Sequence, residues 1–208
     1  MKTPRPALVV VDVQRDFMTG GALAVPLPGQ GLPAAEGILP AINDLMANGG
    51  YTRVVLTQDF HPGNHCSFAK VLGVPVLTLA RTPADRPQVA WPEHCVKGTP
   101  GAEFHPGLYT QFADLIIRKG GRAEFDSYSG FADDGGGPTG LAGYLAANGI
   151  GAVDVVGIAT DYCVKATALD AANAGLPTRV LLRGCAGVAK LTIANALAEL
   201  GQAGIRIV

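Results

Sequence analysis

The sequence predicts an α/β protein, with a mostly parallel central sheet carrying helices on both faces in a three-layer arrangement, folded as one domain over residues 1–208. Three observations lead there. Six strand-length runs rich in Val, Ile and Leu recur along the chain, helix-length amphipathic stretches separate most of them, and neither repeat nor linker divides the whole. Runs that stay apolar instead of alternating with polar residues belong to strands buried on both faces, as parallel strands are.

In chain order, residues 7–13 form the first strand and residues 33–46 the first helix, followed by a strand at 53–57. Residues 60–104, rich in Pro and His, break the alternation. A third strand follows at 115–117, then a Gly-rich loop at 133–137 and a helix at 139–148. The end of the chain alternates regularly, with strands at 153–158, 179–182 and 205–208 and helices at 161–174 and 189–202. Several helices run out at Asn-Gly or Ala-Gly, which suit C-caps. Loops as long as 60–104 in a compact domain are functional or disordered.

Composition narrows the function. A chain of 208 residues with 48% apolar and 16% charged residues and a net charge of −1 carries no mark of a nucleic-acid or membrane partner, and suits a small neutral ligand. Residues 1–6 lead straight into a short apolar run that stops at Asp12 with no cleavage site after it, so no signal peptide is expected. No run approaches the roughly 20 apolar residues of a membrane span. Cys66, Cys95, Cys163 and Cys185 are widely spaced with no Cys-x-x-Cys pair, which favours reduced thiols in a cytoplasm over disulfides or a four-cysteine zinc site. The sequence leaves room for a homo-oligomer.

In an open parallel sheet, ligands sit beyond the carboxyl ends of the strands. Polar groups stand at nearly every such end: Asp12, then Asp59 and His61, then Lys119, then Asp161-Tyr162-Cys163. Cys163 begins the helix after a buried strand, where dipole and free N–H groups lower a thiol's pKa and make it a nucleophile; a small residue packing a helix start is the alternative. The N–H groups of Ala159 and Cys163 are candidates for an oxyanion hole. Asp12 reads either as a general base with a raised pKa or as a helix N-cap. Lys119 reads as a buried partner of Asp12 or as a solvated surface charge. Asp59, His61, His65 and His94 offer oxygen and nitrogen donors for one divalent ion, zinc, iron or manganese, against the alternative of surface histidines. Phe17, Trp91 and Tyr128 would sandwich a flat ring or else pack the core.

The chain resembles the nicotinamidase/pyrazinamidase family of isochorismatase-like cysteine hydrolases. The resemblance rests on Val11-Asp12-Val13-Gln14-Arg15-Asp16-Phe17 with Gly20-Gly21-Ala22-Leu23, on Asp59-Phe60-His61-Pro62, and on Trp91-Pro92-Glu93-His94-Cys95-Val96. It continues through Gly98-Thr99-Pro100-Gly101-Ala102, Arg118-Lys119-Gly120, Asp126-Ser127-Tyr128-Ser129-Gly130-Phe131 and the segment from Val155 to Val164, in family order over nearly the whole chain. It implies the isochorismatase-like, Rossmann-like three-layer fold. It implies Asp12 as base, Lys119 as electrostatic support and Cys163 as nucleophile, with Ala159 in the oxyanion hole after a cis peptide from Ile158. It implies Asp59, His61 and His94 as metal ligands, His65 as a further ligand or a group behind them, and Phe17, Leu23, Trp91 and Tyr128 around the ring. The implied activity is hydrolysis of nicotinamide and pyrazinamide to the acid and ammonia through a thioester, in NAD salvage. Alternatives are another small-amide or isochorismatase-type hydrolase, or a non-catalytic metal- or ligand-binding protein on the same fold. Two features depart from the pattern: Tyr162 stands where relatives often carry His, and residues 67–90 hold no recognisable chemistry.

Overall fold

A computed structural model describes residues 6–208; the reading of the N-terminus as free of a signal peptide falls largely on residues 1–5, outside them. In chain order the elements are β1 (Pro6–Val11), α1 (Leu39–Asn48), β2 (Arg53–Asp59), α2 (Ala69–Leu72), β3 (Leu79–Arg81), β4 (Pro87–Val89), β5 (Leu115–Lys119), α3 (Leu141–Ala147), β6 (Ala152–Ile158), α4 (Lys165–Asn173), β7 (Thr178–Ala186), α5 (Lys190–Gln202) and β8 (Arg206–Ile207). Six strands form one sheet in the order β5-β2-β1-β6-β7-β8, every pairing parallel. The chain grows outward from β1 in one direction and from β6 in the other, so the order reverses between those two strands. That reversal is where the carboxyl ends open a crevice.

The pleat of β1 divides the core. Leu8 and Val10 face a layer holding Ile42, Leu45 and Met46 of α1, while Ala7, Val9 and Val11 face Leu141 and Leu145 of α3, Ala168 and Ala171 of α4 and Leu200 of α5. These five side chains of β1, from Ala7 to Val11, are essentially buried, each contributing roughly 1.5–3 kcal/mol where the side chain is as large as Val or Leu. This explains why β1 reads as an unbroken apolar run. Among the described residues no helix is long and apolar enough to cross a membrane, and all four cysteines are free thiols.

The structure corrects several expected boundaries. The strand expected at 7–13 stops at Val11, because Asp12 takes a left-handed φ of 49° and turns the chain out of the sheet. The helix expected over 33–46 is a 3-10 turn at Ala35–Ile38 followed by α1; Pro40 cannot donate a backbone hydrogen bond to Glu36, so the α ladder starts there. The 60–104 segment is ordered by α2, by the antiparallel β3–β4 hairpin and by the Phe68–Trp91 bridge. Three-residue strands with exposed residues such as Leu79 leave no periodic signal to read. The Gly-rich loop is held by Asp133, whose Oδ1 accepts the N–H groups of Gly135 and Gly137.

Gly157 in β6 has φ +117°, and a Cβ there would collide with the backbone of Val11. The β6–β7 register shifts around this residue. Gly157→Ala is therefore expected to lower unfolding free energy by roughly 2 kcal/mol or more in urea denaturation, from combined strain and overlap.

Candidate active site

The carboxyl ends of four parallel strands converge on one buried charge cluster. β5 ends at Lys119, β2 at Asp59, β1 just before Asp12, and β6 just before Ala159 and the π-helical turn Thr160–Val164 that carries Cys163. Lys119 Nζ lies 2.8 Å from Asp12 Oδ2, donates to Asp59 Oδ1 at 2.5 Å and to the Ser127 carbonyl at 2.8 Å, and stands 3.5 Å from Cys163 Sγ. The sequence suggested Asp12 as its partner; Asp59 is a second one. Lys119, Asp12 and Asp59 are 4% exposed or less.

Burial and pairing set the protonation of this cluster. Burial raises the Asp12 pKa to about 6, against the opposing pull of Lys119 and with a further push from Asp59. Burial acts the same way on Asp59, but Lys119 and His61 overcome it and hold that carboxyl below its usual range. Lys119 stays charged because Asp12 and Asp59 outweigh its desolvation. For Cys163 the expectation of a lowered pKa is overturned. Burial pushes the thiol well up, Lys119 opposes that, and Asp12 and Asp59 add to it. The N-terminal dipole is too small an effect to offset desolvation of a thiolate between two carboxylates.

Side-chain hydrogen bonds hold the segments that carry these carboxylates. Thr57 Oγ1 donates to Asp12 Oδ1 at 2.6 Å. Gln14 brackets the end of β2: its Oε1 accepts the Asp59 N–H, and its Nε2 donates to the carbonyls of Asp59 and Ala102. Asp161, expected only as a strand-end acid, accepts the N–H groups of Val188 and Ala189 and the Thr192 hydroxyl, tying the nucleophile turn to the start of α5. The Ile158–Ala159 peptide is cis.

Beside this cluster, one carboxylate oxygen of Asp59 and one ring nitrogen each of His61 and His94 lie within 4.8 Å of one another. His61 Nδ1 is 2.9 Å from the Gly120 carbonyl and His94 Nδ1 is 2.8 Å from the Pro92 carbonyl. A carbonyl only accepts, so Nδ1 carries a proton in both, and it is the neutral ring that offers the Nε2 lone pair. Burial holds His94 neutral, its pKa down at about 4. Asp59 raises the pKa of His61 despite burial, the same field that favours a cation. Gly120 has no side chain to occupy the space of the His61 ring, which is how its carbonyl reaches Nδ1. His65 stands apart from this trio. Its ring stacks on His61 at 4.0 Å, and its nitrogens meet Ser67 Oγ at 2.8 Å and the Phe125 carbonyl at 3.2 Å. It also lies with His61 and Asp126 in a second trio of close donor atoms.

Both groups open onto one pocket of about 410 Å3 out to its mouth, lined by Phe17, Leu23, Val25, Trp91, Tyr128, Tyr162 and Val188 above Asp59, His61, His94, Asp126, Ala159 and Cys163. Phe17, Leu23, Trp91 and Tyr128 thus stand in the wall, as the resemblance implied; His65, Asp12 and Lys119 lie behind it. Tyr162 packs edge-on against Trp91 at 5.0 Å and tilted against Tyr128 at 5.6 Å. Sequence reasoning missed Val25, Val188 and Asp126 in the lining, as well as Thr57 and the bracketing role of Gln14. Asp126 and Gln14 lie in motifs that were read, but nothing local marks the two valines.

Lys119→Met leaves two buried carboxylates without their cation. Unfolding free energy in urea is expected to fall by about 3–5 kcal/mol, with part of the loss recovered when Asp12→Asn is added.

Residues 6–208 match the Isochorismatase domain family. A nicotinamidase from Acinetobacter baylyi is 48% identical over 88% of this chain and 81% of its own length. A solved L. infantum structure in complex with nicotinate superposes with a TM-score of 0.84 at 38% identity, covering 99% of this chain and 92% of that one. A Pyrococcus horikoshii pyrazinamidase in complex with zinc gives a TM-score of 0.78 at 39% identity over 99% of both chains. With the parallel sheet, the strand-end charge cluster and a match over all the described residues, the chain belongs to the isochorismatase family.

Proposed function

We propose that this protein is an amidohydrolase that converts nicotinamide, and with it pyrazinamide, to the acid and ammonia through a thioester on Cys163, as a step of NAD salvage. The observation that carries the reading is one geometry: a buried thiol beside Asp12 and Lys119, at the base of a small, largely apolar pocket with an Asp/His/His donor set. The nicotinamidase relative and the nicotinate-bound neighbour support the choice of substrate.

The steps follow from the protonation pattern. Cys163 starts as a thiol. Its sulfur attacks the carboxamide carbon as its proton passes to the Asp12 carboxylate, and the carbonyl electron pair moves to oxygen. The N–H groups of Ala159 and Cys163 are the proposed donors to that oxyanion. When the intermediate collapses, the C–N bond breaks, Asp12 returns the proton to the leaving nitrogen, and ammonia departs. Water then attacks the thioester with Asp12 as base, releasing the carboxylic acid and restoring the thiol. Lys119 keeps its charge throughout and holds Asp12 in register with the sulfur.

Asp59, His61 and His94 fit a divalent ion, for which zinc, iron or manganese all suit the donors; the zinc complex of the P. horikoshii pyrazinamidase supports this reading. Held by these three residues, such an ion would supply Lewis acidity toward a ring nitrogen of the substrate, a positioning role. The aromatic and aliphatic walls enclose the ring and exclude water.

Purified protein is expected to release ammonia from nicotinamide, and Cys163→Ala to release none. Turnover that survives in Cys163→Ala, or absence of turnover in folded, metal-loaded protein, would sink the assignment. His61→Ala should lower bound metal measured by elemental analysis and raise the Michaelis constant; unchanged metal content would refute the ligand set. Because Asp12 must be ionised to accept the thiol proton, kcat/KM should fall as pH drops through about 6, and a profile flat from pH 5 to 7 would contradict its role as base.

A further inference from the structure

We infer that Gln88, on the β3–β4 hairpin, is a positioning residue that sets one wall of the pocket by holding Tyr128 and Asp126; the inference rests on the reading of this pocket as the substrate site. Much of the hairpin is surface-exposed, with Leu79 72% exposed, yet Gln88 is 2% exposed. Its Nε2 lies 2.9 Å from Asp126 Oδ2, 3.0 Å from the Tyr128 hydroxyl and 2.9 Å from the Val89 carbonyl. Its Oε1 accepts no hydrogen bond among the described residues, so the amide serves through its donors.

The Tyr128 hydroxyl receives a second donor, Trp91 Nε1, at 3.0 Å. Two N–H groups from two segments therefore occupy its oxygen and fix where the ring stands. Tyr128 in turn packs against Tyr162, the neighbour of Cys163. On its other side Gln88 orients Asp126, a pocket-lining carboxylate whose oxygen lies within 4.8 Å of ring nitrogens of His61 and His65. One amide thus links the aromatic wall to the acid beside the donor trio.

Gln88→Met keeps the length of the side chain and removes both donors. Trp91 is the only tryptophan, so its emission reports directly on its Tyr128 partner. In full-length, metal-loaded protein, Gln88→Met is expected to raise KM for nicotinamide about five- to tenfold with kcat within about twofold, the effect of about one lost hydrogen bond. Trp91 emission should move in the direction that Tyr128→Phe moves it. On the Tyr128→Phe background, Gln88→Met should raise KM by less than about half the fold seen in the wild type, the coupling expected of residues that act through each other. If Gln88→Met does not fold, Gln88→Leu, which also lacks donors and adds no charge beside Asp126, is read the same way. Wild-type KM and emission in whichever variant folds, or effects that multiply in full with Tyr128→Phe, would overturn the inference. The emission measurement needs no turnover, so it judges Gln88 even if nicotinamide proves not to be the substrate.

Discussion

Everything in this site depends on one buried ammonium. Lys119 lies between Asp12 and Asp59 at ion-pair distance from both, within reach of the Cys163 sulfur, with the Ser127 carbonyl taking a further N–H. Two carboxylates so deeply buried would not both ionise without it; with it, Asp59 stays ionised and Asp12 is left near the point of taking a proton. The two carboxylates therefore differ in role although they share a cation. Asp59 turns toward the histidines as a donor for a metal, and Asp12 turns toward the thiol. Removal of the cation would disturb both halves together, so the chemistry and the stability of this centre cannot be separated.

The sheet explains how four sequence-distant groups meet. Lys119, Asp59 and Asp12 come from adjacent strands, β5, β2 and β1, and Cys163 from the turn after β6, on the far side of β1. Parallel strands place all their carboxyl ends on one edge, and the reversal of order between β1 and β6 opens the crevice there. The left-handed turn at Asp12 and the close approach of Gly157 to Val11 complete that edge, as backbone features that few residue types permit.

Much of this was legible in the sequence, because the apolar runs before Asp12 and Asp59 announce buried strands with an acid at their ends; β5, before Lys119, is instead an edge strand with Ile116 and Arg118 exposed, not a strand buried on both faces as its apolar run suggested. The protonation of Cys163 was not legible. A local reading sees a thiol at a helix start and expects a depressed pKa, whereas the outcome depends on burial between two carboxylates, which only the tertiary fold sets. The partition of the histidines was hidden for the same reason: His65 is close to His61 in sequence and stacks on it, yet it sits behind the pocket wall with both nitrogens engaged. Gln88 was invisible too. An amide in a three-residue strand carries no periodic or motif signal, and its meaning comes from Asp126 and Tyr128, about 40 positions away.

The proposed chemistry rests above all on Cys163 being a neutral thiol awaiting Asp12, and not a thiolate paired with Lys119. The direct measurement is the ultraviolet difference spectrum of the wild type against Cys163→Ala across neutral pH, which reads thiolate absorbance at this one residue. No thiolate band is expected at pH 7 in the free enzyme. A band present at neutral pH and absent from Cys163→Ala would contradict the neutral thiol and make a preformed thiolate–Lys119 ion pair the resting state.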